Sequence, residues 1–209
     1  MKTIRGLYAI ADTGVIPAHV LVPAATAAIA GGVRILQYRS KHTDRRLKRQ
    51  QASELAALCR STHTMFIVND DVELAAQVGA DGVHIGRSDG SVGHARAILG
   101  GERIIGLSCY NQLSLAIEGA EHGVTYVAFG SFHPSAVKPD AVRATLELLQ
   151  NARQRLALPI VAIGGITSEN GARLLAAGAD ALAVISAVFA TPDPRAAAAQ
   201  FSDLFSNPE

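Results

Sequence analysis

The chain has 209 residues, of which 49% are hydrophobic and 18% are charged, with 19 Lys and Arg against 18 Asp and Glu. A chain of this length and apolarity can bury a large core, which excludes a disordered protein, and its balanced charge excludes a nucleic-acid binder that relies on an excess of basic groups. We therefore expect residues 1–209 to form one globular domain.

Two features of the sequence bear on where the protein works. Cys59 and Cys109 lack the CxxC spacing and the His neighbours of a zinc site, and two isolated cysteines do not indicate a disulfide framework. The apolar stretch at the N-terminus is too short for a signal-peptide core and ends at Asp12, and no apolar run reaches the length of a transmembrane helix. These observations predict a cytoplasmic protein that does not enter a membrane.

Short apolar runs alternate along the chain with segments of helix-favouring composition. In several places a helix-like stretch ends at small residues and leads directly into an apolar run, as in QVGADGVHIG and AAGADALAVIS. The runs are rich in Val, Ile and Leu without strict alternation, which is typical of a parallel sheet covered on both faces. The predicted strands are 6–11, 33–39, 64–69, 82–85, 104–108, 126–130, 159–163 and 181–185.

This alternation predicts a single (β/α)8 barrel of the α/β class, a TIM barrel. The alternative is an open doubly wound sheet with a phosphate loop after its first strand, but that position reads AIADTG and lacks the GxGxxG pattern. In barrel enzymes the chemistry lies at the C-terminal ends of the strands. Polar residues that end the apolar runs are therefore the candidates for a functional site.

The second predicted strand ends in polar side chains. Gln37, Arg39 and Lys41 alternate along the chain, so they are expected to project from the same face. Because an unpaired buried charge is unfavourable, two cations at a strand end indicate an anionic partner such as a diphosphate. The structural alternative is an ordinary surface loop.

The third, fourth and fifth predicted strands end in Asn69, Asp70, Asp89 and Ser108, which a barrel brings to one mouth. Carboxylates without histidine or thiolate partners suit a hard cation, and Mg²⁺ takes one or two carboxylates together with water and phosphate. Asp70 and Asp89 therefore predict a Mg²⁺ site. The structural alternative is that these residues cap the helices that follow, the role that we expect for Asp71.

The last three strands lead into a second polar region. The loop after the sixth strand supplies Ser131, His133, Ser135 and Lys138. The seventh and eighth strands end in AIGGI and VISA before helix starts, an arrangement that binds phosphate through backbone N–H groups, and Gly164 and Gly165 allow close approach. Two anion-binding regions at one mouth predict two small phosphorylated substrates.

Between residues 7 and 188 the chain contains, in order, the motifs LYAIAD, QYRSK, VNDD, GADGVHIGRSD, GLS, PSAVK, AIGGI and VISAV. Taken together these motifs resemble the thiamine-phosphate synthase (thiamine-phosphate pyrophosphorylase) family. The resemblance implies a transferase of thiamine biosynthesis. Such an enzyme joins 4-amino-2-methyl-5-hydroxymethylpyrimidine diphosphate to 4-methyl-5-(2-hydroxyethyl)thiazole phosphate, or to its carboxylated form, and releases pyrophosphate by a Mg²⁺-dependent, dissociative mechanism.

The resemblance also assigns roles to residues by motif. The pyrimidine diphosphate would contact Gln37, Arg39, Lys41, Asn69, Ser108 and Lys138. Mg²⁺ would be held by Asp70 and Asp89. The thiazole phosphate would contact Ser135, Ala136, Val137, Gly165, Ile185 and Ser186. The residues that stabilise the charge building on the leaving pyrophosphate would be Arg39, Lys41, Ser108 and Lys138, with Ser108 as a hydrogen-bonding group and not a nucleophile.

The chain departs from the family pattern in the loop before Lys138. Where the family has two threonines, this chain has Ser135 and Val137, and His133 is a further change. Ser135 keeps a hydroxyl and Val137 does not. Losing a hydrogen bond to a charged oxygen weakens binding by about 1.5–3 kcal/mol, so we expect weaker binding of the thiazole phosphate unless water or His133 substitutes.

Two other functions stay open at this point. A thiazole tautomerase, an isomerase relative on the same fold, carries a catalytic histidine where this chain has Ser131 and lacks much of the diphosphate and metal set. A barrel that binds thiamine precursors without turnover, or a sugar-phosphate isomerase, is the other alternative. An isomerase needs a base, for which His84, His94 and His122 are candidates by residue type. We expect His84 to be a hydrogen-bonded structural residue. The oligomeric state is open, a homo-oligomer included.

Overall fold

The computed structural model describes residues 3–134 and 142–206. In this part of the chain, parallel strands pair in sequence order and close into a barrel through the pairing of the first strand with the last. The predicted (β/α)8 barrel is thereby confirmed. The strands are β1 (Gly6–Asp12), β2 (Ile35–Arg39), β3 (Met65–Asn69), β4 (Gly82–Ile85), β5 (Ile104–Tyr110), β6 (Tyr126–Gly130), β7 (Ile160–Ile163) and β8 (Ala181–Val184).

Helices alternate with these strands, after a 3₁₀ turn at Ala18–Val20. Within the described residues the helices are α1 (Leu21–Ala30), α2 (Arg45–Ser61), α3 (Val72–Val78), α4 (Val92–Leu99), α5 (Leu113–Glu121), α6 (Leu146–Arg155), α7 (Gly171–Ala176), α8 (Ser186–Phe189) and α9 (Pro194–Ser206). None of these helices combines the length and the apolarity that crossing a membrane requires.

The bounds of β4 and β6 are the predicted ones, and the other strands differ from the prediction by one or two residues at one end. β2 begins at Ile35 and not at 33, because the N–H of Val33 donates back to the carbonyl of Ala28 at 3.3 Å and so still belongs to the end of α1. β5 runs on to Tyr110, through an irregularity of register between Ser108 and Tyr110. A bulge of this kind redirects side chains at the mouth of a barrel.

The apolar residues form two clusters, one on each face of the barrel wall. In β1, Leu7 and Ala9 belong to the cluster between the strands and the helices, whereas Tyr8 and Ile10 belong to the cluster inside the barrel. Because side chains alternate along a strand, a wall that is buried on both faces needs apolar residues at successive positions. This explains why the strands appear in the sequence as continuous apolar runs.

One glycine determines what crosses the barrel interior. A Cβ atom at Gly106 in β5 would lie 2.1 Å from Cζ of Tyr126 in β6, far inside contact distance. The absence of a side chain at Gly106 therefore makes room for the ring of Tyr126. This ring is fully buried and lies edge-on to the ring of Tyr8, with 6.1 Å between the ring centroids.

Candidate active site

A cavity of about 430 Å³ opens at the C-terminal ends of the strands. It is lined by residues that the sequence predicted for the site, namely Gln37, Arg39, Asn69, Ser108, Gly165, Ile185 and Ser186. Ser131, which the sequence analysis placed in the second polar region, also lines it, as do polar residues to which that analysis gave no part in substrate binding, namely Tyr8, His84, Tyr110 and Tyr126. The cavity thus joins the ends of β2–β5 to the ends of β7 and β8.

The remaining predicted residues lie elsewhere. Lys41 is exposed two residues beyond the end of β2, and Lys41, Asp70 and Asp89 are not among the residues that line the cavity. Asp70 is exposed and Asp89 is half-buried, in the segments that follow β3 and β4. Ser135, Ala136, Val137 and Lys138 lie outside the described residues.

Arg39 has a protein partner that the sequence analysis missed. Its guanidinium forms an ion pair with the carboxylate of Asp12, the residue opposite it in the pairing of β1 with β2. Asp12 is 3% exposed, and its other oxygen accepts a hydrogen bond from the N–H of Gly14 at 2.8 Å. The premise that Arg39 is unpaired is therefore wrong. The signal was present, because Asp12 is a polar residue that ends an apolar run.

Asp70 has a backbone conformation that non-glycine residues rarely adopt. Its φ is +66°, and its N–H donates to the carbonyl of His84 at 2.9 Å, which ties the end of β3 to β4. A left-handed residue of this kind is unfavourable by roughly 1 kcal/mol or more and is often found at functional sites. The next residue, Asp71, is the N-cap of α3, so this turn leads the chain from β3 into the helix.

Asp71 is the N-cap of α3, as the sequence predicts. Its carboxylate accepts from the N–H of Leu74 at 2.9 Å and pairs with Nζ of Lys48 in α2 at 2.7 Å. Burial by itself raises the pKa of Asp71, but the hydrogen bonds from Lys48 and Leu74 outweigh it and bring the pKa below its ordinary value. Asp71 is therefore the residue that caps α3, and Asp70 does not have this role.

Asp89 is held inside its own loop. One oxygen accepts from the N–H of Gly86 at 2.8 Å and the other from the hydroxyl of Ser88 at 3.1 Å. The N-cap of α4 is Ser91, whose hydroxyl oxygen accepts from the N–H of His94 at 3.1 Å. The alternative in which Asp89 caps the helix is wrong.

The donor chemistry of Asp70 and Asp89 suits Mg²⁺. Both follow adjacent strands, both offer carboxylate oxygens, and such hard ligands are the ones that Mg²⁺ prefers. Within residues 3–134 and 142–206, the His, Cys, Asp and Glu side chains form no group of three that could hold a metal. An ion held by two carboxylates would complete its shell with water and substrate phosphate, which is the usual arrangement for Mg²⁺.

A continuous set of hydrogen bonds crosses the barrel beneath the cavity. Nε2 of Gln37 donates to the hydroxyl of Tyr8 at 2.7 Å, and this hydroxyl is 2.8 Å from that of Tyr126. The hydroxyl of Tyr126 is 2.9 Å from Nδ1 of His84, and Nε2 of His84 is 2.8 Å from the hydroxyl of Ser108. His84 is thus hydrogen-bonded, as predicted, but it also forms part of the cavity wall.

Cys109, the residue after Ser108, does not supply a nucleophile. Its side chain is fully buried in the cluster between the strands and the helices. Burial raises the pKa of the Cys109 thiol to about 12. The thiol therefore stays protonated at neutral pH, and the thiolate is the reactive form.

The ends of β6 and β7 are joined by backbone contacts that require glycine. The N–H of His133 donates to the carbonyl of Gly164 at 2.9 Å, and Gly165 has a φ of +61°. A Cβ atom at Gly165 would lie 2.3 Å from the backbone oxygen of Pro134. Beside this contact α8 begins at Ser186, so that backbone N–H groups at a helix start border the cavity.

Comparison with known proteins identifies the family. A model of the family described as thiamine monophosphate synthase matches residues 7–188, which is most of the chain. The chain belongs to this family. Two similar members are thiamine-phosphate synthases: that of Nitrosospira multiformis is 50% identical over 205 residues (98% of this chain and 87% of the relative), and that of Thiobacillus denitrificans is 55% identical over 179 residues (86% and 85%).

A solved structure supports the same assignment. The thiamine phosphate pyrophosphorylase from Pyrococcus furiosus superimposes with a TM-score of 0.87 at 33% identity and covers 96% of this chain and 95% of its own. Orotidine 5'-phosphate decarboxylase from Pyrococcus horikoshii, at 16% identity and a TM-score of 0.69, shares the fold alone. Membership in the thiamine monophosphate synthase family confirms the prediction of a transferase of thiamine biosynthesis.

Proposed function

We propose that this protein, with residues 1–209 acting as one domain in the cytoplasm, condenses the hydroxymethylpyrimidine diphosphate with the thiazole phosphate and releases pyrophosphate. The observation that carries the proposal is the shared cavity of about 430 Å³, which is bordered by Arg39, Asn69 and Ser108 on one side and by Gly165 and Ser186 on the other. The volume lies in the range of small-molecule sites. Two phosphorylated ligands can therefore meet in one space.

The reaction requires no group from the protein to form a covalent bond. The C–O bond of the pyrimidine diphosphate breaks, its electron pair leaves with the pyrophosphate, and a methylene cation remains. The lone pair of the thiazole nitrogen then forms the new C–N bond, and the positive charge passes to the thiazolium ring. No proton has to move, and Cys109, the residue after Ser108, is kept protonated by burial and supplies no nucleophile.

The protein would act mainly on the charge that develops on the leaving group. In the proposal Gln37, Asn69 and Ser108 bind the diphosphate, and the cations that oppose its growing charge are Arg39, Lys41 and Lys138. Asp70 and Asp89 would hold Mg²⁺, whose chemistry is to neutralise phosphate oxygens and so make pyrophosphate a better leaving group. Ser135, Ala136, Val137, Gly165, Ile185 and Ser186 would hold the thiazole phosphate.

The inner wall of the cavity suits a cationic intermediate. Its lining includes Ile10, Ala128, Val161, Ile163 and Ala183, side chains that neither react with a carbocation nor retain water. Exclusion of water prevents hydrolysis of a reactive intermediate. This apolar wall supports the dissociative mechanism.

The test is to incubate the full chain with both phosphorylated substrates and Mg²⁺ and to measure thiamine phosphate and pyrophosphate. We expect both products in equal amounts, their loss on addition of EDTA, and their return with excess Mg²⁺. Failure to form product at saturating substrate concentrations would overturn the proposal.

A pair of variants shows whether the cavity carries the activity. Arg39→Gln removes a cation that lines the cavity, and Arg34→Gln removes an exposed cation just before the other end of the same strand. Losing an interaction with a charged group typically amounts to about 1.5–3 kcal/mol, so Arg39→Gln should lower kcat/KM at least tenfold. Arg34→Gln should leave it unchanged. Equal effects would place the reaction outside this cavity.

A tautomerase is disfavoured by the residue that follows the last residue of β6. Ser131 stands there, and its hydroxyl donates to the carbonyl of His133 at 2.7 Å, so this position supplies no base. We expect the carboxylated thiazole phosphate to stay unchanged when it is the sole substrate.

A further inference from the structure

The hydrogen bonds inside the barrel form one connected chain, which we call the interior relay: Gln37, Tyr8, Tyr126, His84 and Ser108. All of its members line the cavity: Gln37, Tyr8 and Tyr126 are buried, and His84 and Ser108 are half-buried. The rings of His84 and Tyr126 are also stacked, with 5.5 Å between centroids and 25° between planes. The relay is therefore a rigid connection between two sides of the cavity.

The number of protons in the relay restricts their arrangement. Burial raises the pKa of both Tyr8 and Tyr126, so each hydroxyl keeps its proton at neutral pH. The oxygen of Tyr8 accepts from Nε2 of Gln37, and the hydroxyl proton of Tyr8 then has Tyr126 as its acceptor. With Gln37 as the donor to Tyr8, any other placement of the Tyr8 proton buries it without an acceptor, which is unfavourable.

The same reasoning continues to the far end of the relay. Since the oxygen of Tyr126 receives the proton of Tyr8, the proton of Tyr126 points to Nδ1 of His84. The imidazole then carries its own proton on Nε2 and donates it to the oxygen of Ser108. The hydroxyl proton of Ser108 is left for a group in the cavity.

The opposite arrangement presents a different surface to a ligand. If Gln37 turned its carbonyl oxygen to Tyr8, every donor in the relay would become an acceptor, and Ser108 would donate to His84. Ser108 would then offer only lone pairs to the cavity and would repel an anion. An anion requires hydrogen-bond donors, and such charge-assisted bonds are about twice as strong as neutral ones.

We propose that Tyr8, Tyr126 and His84 are positioning residues, which fix Ser108 as a hydrogen-bond donor to the anionic leaving group. The identity of this anion as pyrophosphate rests on the proposed function. Because charge on the leaving group grows toward the transition state, the bond from Ser108 strengthens as the C–O bond breaks. The relay therefore acts mainly on kcat and less on the KM values.

The direction of the relay is tested on the unmodified protein. Nitrogen chemical shifts of the imidazole, measured by NMR on the full chain labelled with ¹⁵N-histidine, report which ring nitrogen carries the proton. The His84 signals are assigned by their loss in His84→Gln. We expect a single neutral tautomer with the proton on Nε2. A proton on Nδ1 would overturn the proposal, whatever the activity of the protein.

Two matched variants test the effect on catalysis. Tyr126→Phe removes the hydroxyl that selects the tautomer of His84. Tyr38→Phe removes a hydroxyl from an equally buried tyrosine, which donates to Oε1 of Gln51 at 2.7 Å and does not line the cavity. We expect Tyr126→Phe to lower kcat about tenfold, which corresponds to the lower end of the free energy lost with a hydrogen bond to a charged group. The KM values should change less than threefold, and His84 should show a mixture of both neutral tautomers.

The outcomes separate the relay from the proposed function and from a general loss of packing. If Tyr126→Phe keeps the wild-type kcat, or if Tyr38→Phe lowers kcat equally, the positioning role is wrong while the synthase activity stands. A wild-type protein that makes no thiamine phosphate overturns the proposed function. The tautomer of His84 still reports on the direction of the relay in that case.

Discussion

Replacing Asp12 with Asn tests the ion pair that the barrel places beside the candidate diphosphate site. The substitution keeps the shape of the side chain and an oxygen for the N–H of Gly14, but it removes the charge that faces Arg39. The guanidinium of Arg39 then lies beside a neutral amide. The positive charge of Arg39 is then stabilised by water and by any anion in the cavity.

The size of the effect follows from burial. Removing one partner of a fully buried ion pair typically destabilises a protein by about 3–5 kcal/mol. The side chains of Arg39 and Asp12 are 14% and 4% exposed, so water reaches the cation and relieves part of this loss. We expect the free energy of unfolding to fall by about 2–4 kcal/mol, which for a chain of this size lowers Tm by roughly 5–15 °C.

The assay is thermal unfolding with and without inorganic pyrophosphate and Mg²⁺. Because the variant lacks the carboxylate that neutralises Arg39, pyrophosphate should raise its Tm more than it raises that of the wild type. Asp44→Asn is the matched control, since Asp44 is an exposed cap of α2 and asparagine caps equally well. A fall in Tm of less than about 2 °C for Asp12→Asn would refute the reasoning. Equal stabilisation of Asp12→Asn and the wild type by pyrophosphate would also refute it.

Three further predictions concern the loops around the cavity. Asp71→Asn keeps the cap of α3 but loses the ion pair with Lys48, so the free energy of unfolding should fall by about 0.5–1 kcal/mol at neutral pH. Asp71→Ala also loses the cap, so its free energy of unfolding should fall by about 1–2 kcal/mol. Folding lowers the pKa of Asp71, so the ionised carboxylate stabilises the folded state fully above its unfolded pKa, which is near 4. This stabilisation is lost as the pH falls through the folded pKa. A difference in the free energy of unfolding between wild type and Asp71→Asn that persists at about pH 2 would contradict this. Gly165→Ala places a Cβ atom 2.3 Å from a backbone oxygen and should raise the KM of the thiazole phosphate at least tenfold. The control is Gly123→Ala, which is also at positive φ but has no atom within 4 Å of the new Cβ, and it should leave this KM unchanged. Equal KM values for the two variants would exclude a role for the close contact. Val137→Thr restores the hydroxyl of the family pattern and should lower the same KM about tenfold, and an unchanged KM would show that another group already supplies the hydrogen bond.

The architecture was predictable because its signals are local. Apolar runs such as 126–130 and 82–85 coincide with β6 and β4, since a wall that is buried on both faces demands apolar residues at successive positions. The helix cap at Asp71 was likewise readable from the chain alone. Where a strand end differs from the prediction, as at Val33, a hydrogen bond to the preceding helix decides the boundary. The composition of the segment does not encode this hydrogen bond.

The polar residues at the mouth were predictable for a more general reason. The C-terminal ends of parallel strands meet at one end of any barrel, so Gln37, Arg39, Asn69 and Ser108 had to approach one another once the fold was known. The same rule applies to Asp12, which ends β1 and therefore also lies at the mouth of the barrel, although the sequence analysis treated it only as the end of an apolar stretch.

The sequence by itself therefore determined the barrel, the family and several of the polar residues around its mouth, because apolar periodicity, helix caps and motif order are properties of short segments. Only the tertiary structure decided which polar groups are partners. Tyr8 and Tyr126 are 118 positions apart and meet because Gly106 leaves space for a ring, and Asp12 meets Arg39 through the register of β1 with β2. Strand register and the curvature of a closed barrel arise from all the strands together, so no short segment specifies these contacts.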